Sequence, residues 1–399
     1  MPAAGRTRVL IVDDSAVMRS LLRSVINSGE RLEVAGTAAD GATALAAVAA
    51  DHPDLVLLDV EMPVLDGLAT LRQLRAQGYK VPVIMCSSLT RRGAAVTIEA
   101  LASGASDYVA KDSSLVGREE ALRALAQDLL PKIYALTRAP AASQQRPIFA
   151  PATRQSNPAA SHGPVSSLVP NPVPIPAPIF GPSAVQRLPA VAPAVVAIGV
   201  STGGPSALDT LLAELPADFP LPVLVVQHMP EVFTRLFADR LARSCRLYVN
   251  EAFEGAPVTP GTTYIARGDW HMEVLAPAHA GAPPTLHLDQ DPPENHCRPS
   301  VDALFRSAAK VYGSAVLAVV LTGMGYDGLA GARVIRAQGG FVLAQDQATS
   351  TIWGMPGAIA QAGLAHNVLP LAAIAPEIIR IAGRGPFALG SRALSRMVR

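Results

Sequence analysis

Two groups of residues in this chain combine types and spacings that could do chemistry. The first is Asp13, Asp14, Asp59, Ser87 and Lys111, which stand at the ends of apolar runs. Carboxylates gathered on one side of a fold repel one another unless a hard, oxygen-seeking cation such as Mg²⁺ sits among them. A cation there also neutralises an incoming phosphoryl group, so that a carboxylate can accept it. Lys111 offers a point charge for phosphoryl oxygens, and the Ser87 hydroxyl offers a hydrogen bond.

The second group lies in the other half. Ala194-Val-Val-Ala-Ile-Gly-Val-Ser-Thr-Gly-Gly-Pro-Ser206 passes from a β-branched strand pattern into a helix-like stretch over residues 205–215, placing the Ser201 hydroxyl at a strand-to-helix turn. Gly199, Ser201 and Gly203 match a nucleophile elbow, where small neighbours expose a serine above a sheet. The same glycines suit a turn without chemistry, or a phosphate cradle, although Ser201 replaces the middle glycine of a dinucleotide fingerprint. Val223-Leu-Val-Val-Gln-His228 is a strand pattern ending in histidine, and Ala315-Val-Leu-Ala-Val-Val-Leu-Thr322 leads into Gly323-Met-Gly-Tyr-Asp-Gly328. On a parallel sheet these ends share one edge, where Ser201, His228 and Asp327 can meet as nucleophile, general base and orienting carboxylate. Backbone N–H groups of the glycine-rich turns, Met324 included, can bind the oxyanion of an acyl-transfer intermediate. The chain order Ser, His, Asp differs from the Ser, Asp, His order of α/β-hydrolases, so the elbow does not assign that fold.

The elements that must hold these groups alternate along the chain. Residues 8–13, 34–38, 54–60, 81–86 and 107–110 read as strands, with helices over residues 15–27 and from Gly41 onward. Five βα units imply a parallel sheet with helices on both faces and ligands at the carboxyl ends of its strands. In the second half a helix over 233–244, two shorter strand-like pieces, a Pro-rich loop and a helix over 302–312 precede the strand at 315–322.

Composition sets the outer limits. The 399 residues suggest two or three domains, and with 50% hydrophobic residues each can bury a core. Every apolar run stops well short of the roughly 18 residues that a membrane span needs. No secretory leader is read at the N-terminus, and a net charge of +1 gives no electrostatic case for nucleic acid. Cys86, Cys245 and Cys297 are few and scattered, which fits a reducing cytoplasm without disulfides or a zinc cluster, and Cys86 reads as core. From about Arg138 to Ala190, Pro, Ala, Ser, Gln and Asn dominate, the composition of an extended spacer.

With Asp59-Val-Glu-Met-Pro63 and Asp66-Gly67, the acidic set over roughly residues 6–125 resembles response-regulator receiver domains. The resemblance implies that a histidine kinase phosphorylates Asp59. It further implies that Asp14, Asp59 and the Glu61 backbone hold Mg²⁺ beside Asp13, with Ser87 and Tyr108 as the switch pair. That family usually has proline after the lysine, whereas Asp112 follows Lys111 here, which removes the usual support for a cis peptide.

Behind such a receiver, Gly199-Val-Ser-Thr-Gly-Gly204, Gln227-His-Met-Pro230, His296-Cys-Arg-Pro-Ser-Val-Asp302, Leu321-Thr-Gly-Met-Gly-Tyr-Asp-Gly328 and Gly354-Met-Pro356 are similar to the chemotaxis protein-glutamate methylesterase family. The likeness covers all but the linker and the basic tail. It implies hydrolysis of glutamate γ-methyl esters on chemoreceptor cytoplasmic helices, with glutamine deamidation as a second activity and no cofactor for ester hydrolysis. It also implies that Thr202 lines the site and that Met324 supplies an oxyanion donor. Arg267 and Cys297 replace more usual residues, and neither is expected to touch Ser201, His228 or Asp327.

The organisation expected is α/β throughout, with two doubly wound parallel-sheet domains: a flavodoxin-like receiver over 1–125 and a Rossmann-like methylesterase domain over 191–385. A helix end and Pro/Ala-rich linker over 126–190 joins them, and a basic tail follows over 386–399. Because a switch and a hydrolase share one chain, the receiver is expected to obstruct Ser201 until Asp59 is phosphorylated. The expected partners are chemoreceptors and a chemotaxis histidine kinase, for a cytoplasmic monomer that neither binds nucleic acid nor inserts into membrane. The rival reading is a response regulator whose output domain only binds a partner protein. His271 and His296 lack a third ligand at metal spacing and read as polar loop residues. Trp270 and Trp353 read as packing residues or as part of a rim.

Overall fold

In the computed structural model of the chain, residues 5–111, 117–137 and 189–383 are described. Asp112, residues 138–188 of the proposed linker and the basic tail lie outside them.

The first unit runs β1 (Thr7–Val12), α1 (Ala16–Ser28), β2 (Leu32–Ala38), α2 (Gly41–Asp51), β3 (Leu55–Asp59), α3 (Gly67–Ala76), β4 (Val83–Ser88), α4 (Arg91–Ala102), β5 (Asp107–Lys111) and α5 (Arg118–Thr137). Its strands form one parallel sheet in the order β2-β1-β3-β4-β5. β3 is buried at every residue, as a strand covered by helices on both faces must be. Helices begin where a side-chain oxygen can take a free amide: Ser15 accepts from Met18 N, Asp40 from Thr43 N, and Asp66 from Ala69 N. α5 extends to Thr137 with Pro131 in its interior, and its Leu125, Leu129 and Ile133 join the core cluster that also holds residues of β1 and β3.

The second unit contains β6 (Val195–Val200), α6 (Gly204–Glu214), β7 (Val223–Gln227), α7 (Glu231–Ser244), β8 (Tyr248–Glu251), β9 (Thr262–Ile265), β10 (His271–Leu275), β11 (Thr285–Asp289), α8 (Val301–Tyr312), β12 (Val316–Val320), α9 (Leu329–Ala337), β13 (Phe341–Gln345), α10 (Met355–Gln361), β14 (Asn367–Leu369) and α11 (Leu371–Ala382). Seven strands make a parallel sheet in the order β14-β13-β12-β6-β7-β9-β8. Strand order reverses between β6 and β12, which opens a crevice at their carboxyl ends. The region before α8 holds four short strands where two were expected. β8 and β9 extend the sheet, while β10 and β11 pair as a separate antiparallel hairpin. Runs of four or five residues, interrupted by Pro and Gly, carry too little periodicity to be counted from sequence.

The two units touch. α4 packs on α6 and α7, and one apolar cluster contains Ile98, Leu101 and Tyr108 of the first unit with Leu208, Phe233 and Phe237 of the second. The Tyr108 ring stacks on Phe233 with centroids 4.7 Å apart. Among the described residues no helix is long and apolar enough to cross a membrane.

Candidate active site

β6 pairs in parallel with both β12 and β7, so Ser201, His228 and the turn carrying Asp327 leave three adjacent strands at one edge. Ser201 N donates to Thr322 O at 3.0 Å, tying the serine turn to the end of β12. The two turns touch at Gly323, where a Cβ would stand 2.8 Å from Ser201 Cβ. Gly203 takes φ +76°, which glycine alone adopts at little cost, and a Cβ there would meet Thr351 Oγ1 at 2.3 Å. Gln227 closes β7 and donates from Nε2 to the carbonyls of Ser201 at 3.0 Å and His228 at 3.2 Å. One buried amide thus clamps the serine turn to the histidine turn.

His228 Nε2 lies 2.9 Å from Asp327 Oδ2. Asp327 also accepts from Ser300 Oγ at 2.8 Å, Val301 N at 2.7 Å, Asn295 Nδ2 at 3.0 Å and Gly328 N at 3.0 Å. Val301 opens α8, so this carboxylate also faces the positive end of a helix dipole. Burial pushes the Asp327 pKa up, but the His228 hydrogen bond and charge, joined by these donors, bring it down to about 2. Burial likewise opposes a charged His228. The hydrogen bonds to Asp327 and Cys297 outweigh it and raise the imidazole to about 9.

His228 Nδ1 faces Cys297 Sγ at 3.6 Å, while among the described residues no hydrogen bond links Ser201 Oγ to His228. The expectation that Cys297 stands clear of the three residues is therefore overturned. Glu294 and Cys297 exchange backbone hydrogen bonds of 3.1 and 2.7 Å in a tight turn, which folds the thiol back onto the imidazole. Arg267 does stay apart, paired with Glu231 and lying 5.3 Å from the Trp270 ring centroid. His271 is buried in β10 rather than exposed in a loop, and both its nitrogens are engaged: Nδ1 accepts from Ser300 N at 3.1 Å and Nε2 lies 3.3 Å from Pro292 O. Trp353 Nε1 donates to Gln345 O at 2.9 Å, a packing role.

A cavity of about 1000 Å³ adjoins Ser201, His228, Cys297 and Met324, and the receiver closes it from the other side with Tyr108 and Lys132. Thr202 Oγ1 donates to Asp107 Oδ2 of the receiver at 2.7 Å. The backbone amides of Thr202 and Met324 donate to no protein group among the described residues, which leaves both for a ligand oxygen. The arrangement suits acyl transfer: a hydroxyl at a turn, a histidine held by a buried carboxylate with several protein donors, and free amides beside them.

On the receiver, ligand oxygens of Asp13, Asp14 and Asp59 lie within 4.8 Å of one another. Lys111 Nζ reaches Asp13 Oδ2 and Asp59 Oδ1, both at 2.7 Å. Burial raises the Asp59 pKa against the opposing charge of Lys111. An all-oxygen donor set beside a single ammonium fits a hard divalent cation. Glu61 lies 3.8 Å from Arg92, and Ser87 Oγ donates to Ser88 O at 3.1 Å. Tyr108 is buried between Phe233 and Lys132, whose Nζ stands 5.3 Å from the ring centroid.

Sequence reading missed Gln227, Asn295, Ser300 and Asp107 as parts of these sites. Ser300 had a signal, since it lies in the His-Cys-Arg-Pro-Ser segment that carried the family likeness. Gln227 had one too, in the Gln-His-Met-Pro segment, whereas the bonds that tie Asn295 to Asp327 and Asp107 to Thr202 span 32 and 95 residues, separations that local pattern does not report.

Comparison with known proteins gives two family matches. A family described as CheB methylesterase matches residues 196–378, and one described as response regulator receiver domain matches residues 9–133. A protein-glutamate methylesterase/protein-glutamine glutaminase of Nocardioides sp. is 46% identical over 395 residues, 97% of this chain and 99% of that protein. One of the same name from Trichodesmium erythraeum is 43% identical, over 94% of this chain and 99% of that one. Among solved structures, the Thermotoga maritima CheB methylesterase catalytic domain is 42% identical and covers 48% of this chain and 100% of its own, with a TM-score of 0.46.

Proposed function

The chain belongs to the CheB methylesterase family, and from that premise we propose how its own residues carry out and gate the reaction. It is a protein-glutamate methylesterase and protein-glutamine glutaminase that serves adaptation in chemotaxis, with a receiver domain for control. Its substrate is a chemoreceptor and its phosphodonor a kinase.

The catalytic residues in this reading are Ser201, His228 and Asp327. Ser201 Oγ attacks the γ-carbonyl carbon, and its proton passes to His228 Nδ1, the nitrogen that Asp327 leaves free. The amides of Thr202 and Met324 hold the oxyanion. The C–O bond then breaks, and methanol departs with the proton from His228. Water enters, gives a proton to His228 and attacks the acyl-serine, releasing glutamate and restoring the Ser201 hydroxyl. With a glutamine substrate the leaving group is ammonia. Asp327 stays ionised throughout, since its donors suit the carboxylate, and it stabilises the imidazolium formed in each step.

The receiver is read as the gate. Asp59 accepts the phosphoryl group, Asp14, Asp59 and the Glu61 backbone would hold Mg²⁺, and Asp13 lies alongside. Bound Mg²⁺ would neutralise charge as the phosphoryl group arrives. Lys111 meets the phosphoryl oxygens, and Ser87 with Tyr108 relays the change. Tyr108 already packs on Phe233, and Asp107 beside it holds Thr202, so movement of β5 reaches Ser201 directly. The domain limits proposed above, 1–125 and 191–385, accompany this reading, together with a monomeric state in the cytoplasm.

The observation that carries it is the convergence of Ser201, His228 and Asp327 on adjacent strand ends. Methanol release from methylated receptor fragments is the test: Ser201→Ala should remove it while receptor binding persists. If the wild type released no methanol, the rival reading of a purely binding output domain would stand instead.

A further inference from the structure

Two side chains capable of nucleophilic attack, Ser201 and Cys297, share with His228 the wall of one cavity. In this closed arrangement the base is engaged by the sulfur. Cys297 Sγ lies 3.6 Å from His228 Nδ1, and His228 Nε2 is fixed 2.9 Å from Asp327 Oδ2. Nucleophile, base and orienting carboxylate in hydrogen-bonded succession are the arrangement that activates a thiol. Neither other cysteine is so placed. Cys86 is buried in the receiver core and burial pushes its thiol up to about 12, while the Cys245 thiol is raised by burial and lies 3.8 Å from the Leu247 carbonyl.

We propose that Cys297 is a site of reversible thiol oxidation by small hydroperoxides, and that the oxidised sulfur shuts off the hydrolase by occupying His228 Nδ1. The thiol proton moves to Nδ1 of the neutral imidazole and the thiolate attacks the proximal peroxide oxygen. The S–O bond forms as the O–O bond breaks, and the departing hydroxide, or the alkoxide of an organic hydroperoxide, takes the proton from imidazolium to leave as water or alcohol. Sulfur is oxidised by two electrons to the sulfenic acid and the peroxide is reduced. The new S–OH group then lies against Nδ1, where the proton of Ser201 must go, so acylation stops while Ser201 itself is untouched. A thiol reductant restores the cysteine and with it the base.

The inference rests on His228 being the base of the hydrolase, so its test includes a readout that does not need hydrolysis. Full-length protein with phosphodonor is treated with hydrogen peroxide, and methanol release is followed alongside peptide mass. Activity should fall at least tenfold in step with one added oxygen on the Cys297 peptide, and dithiothreitol should restore it. Cys297→Ser and Cys297→Ala should each keep most of their own starting rate under the same treatment. Equal inactivation of these variants, or loss of wild-type activity without oxidation of Cys297, would overturn the proposal. In parallel, iodoacetamide should label Cys297 at least several-fold faster than Cys245 in the untreated protein, and His228→Asn should erase that difference. Equal labelling of the two cysteines in the wild type overturns the proposal even if both serine and alanine variants prove inactive. Activity surviving in Ser201→Ala, with labelling as expected, would instead fault the assignment of the hydrolytic nucleophile.

Discussion

Thr202 donates its hydroxyl to Asp107 Oδ2 at 2.7 Å, a hydrogen bond between the residue after Ser201, the proposed nucleophile, and the residue before the buried Tyr108, the proposed switch tyrosine. Both partners are buried, Asp107 at 6% and Thr202 at 6% exposure, so neither has water as a substitute. Burial raises the Asp107 pKa, against the opposing charge of Lys132 and the Thr202 hydrogen bond; a hydrogen bond contributes about 0.5–1.5 kcal/mol, or about 1.5–3 kcal/mol where the acceptor is charged, and each 1.4 kcal/mol is about tenfold in an equilibrium.

Asp107→Ala removes the acceptor and leaves the Thr202 hydroxyl unpaired in the closed form. The unstimulated rate of methanol release should rise roughly tenfold or more, and the additional gain from a phosphodonor should shrink. An unchanged basal rate with unchanged stimulation would show that this contact does not hold the domains together.

Replacing Asp59 with Asn should abolish stimulation by a phosphodonor without reducing the basal rate. Chelation of Mg²⁺ should do the same to the wild type, because nucleophile, base and orienting carboxylate carry out acyl transfer without a cation in the proposed reaction. Comparing methanol release with and without chelator, in the presence and absence of phosphodonor, separates the two domains' demands. A basal rate that collapses on chelation would contradict the assignment of the cation to the receiver alone.

The base must be neutral to accept the Ser201 proton. With His228 raised to about 9, the imidazolium prevails at neutral pH in the closed form, so the unstimulated rate should climb as pH rises towards about 9. Cys297→Ser should move that rise to lower pH, since the cysteine is one of the groups raising His228. The stability sign follows from linkage. The raised His228 contributes stability below its ordinary value of 6.5 and loses it as pH climbs through about 9. Asp327 contributes above 3.8 and loses its share as pH falls towards 2. A pH–rate profile of kcat/KM, flat from about pH 7 to about pH 9, would be inconsistent with this.

Gln227 touches no reacting atom, yet it holds the carbonyls of Ser201 and His228. Gln227→Ala should lower kcat by roughly tenfold to a hundredfold with KM little changed, as expected when nucleophile and base drift apart by a fraction of an ångström. A loss confined to KM or to thermal stability would make the residue structural only.

Much of this was legible in the chain. Fully apolar strand runs such as Val195–Val200 and Val316–Val320 announce a sheet covered on both faces, and the chemistry-bearing residues follow them directly. What stayed hidden depends on distant partners. Cys297 reaches His228 because a two-sided turn with Glu294 redirects its side chain, and nothing in the segment's residue types encodes that direction. α5 likewise continues through Pro131, a residue that local propensity reads as a stop, because apolar packing of Leu129 and Ile133 on the sheet outweighs one missing amide. Asp107 reads as the start of a strand, and only the docked second unit gives it a role.

The apolar seam that joins Leu101 and Tyr108 to Phe233 and Phe237 is formed within one polypeptide. Its closure is unimolecular, governed by an effective concentration that the tether sets and that dilution does not alter. In the proposed gating, each molecule therefore carries its own inhibitor at fixed stoichiometry, and the fraction held silent is independent of how much protein the cell makes. Expression level would then scale the total capacity for demethylation, while the proportion released from the seam would follow the phosphorylation signal.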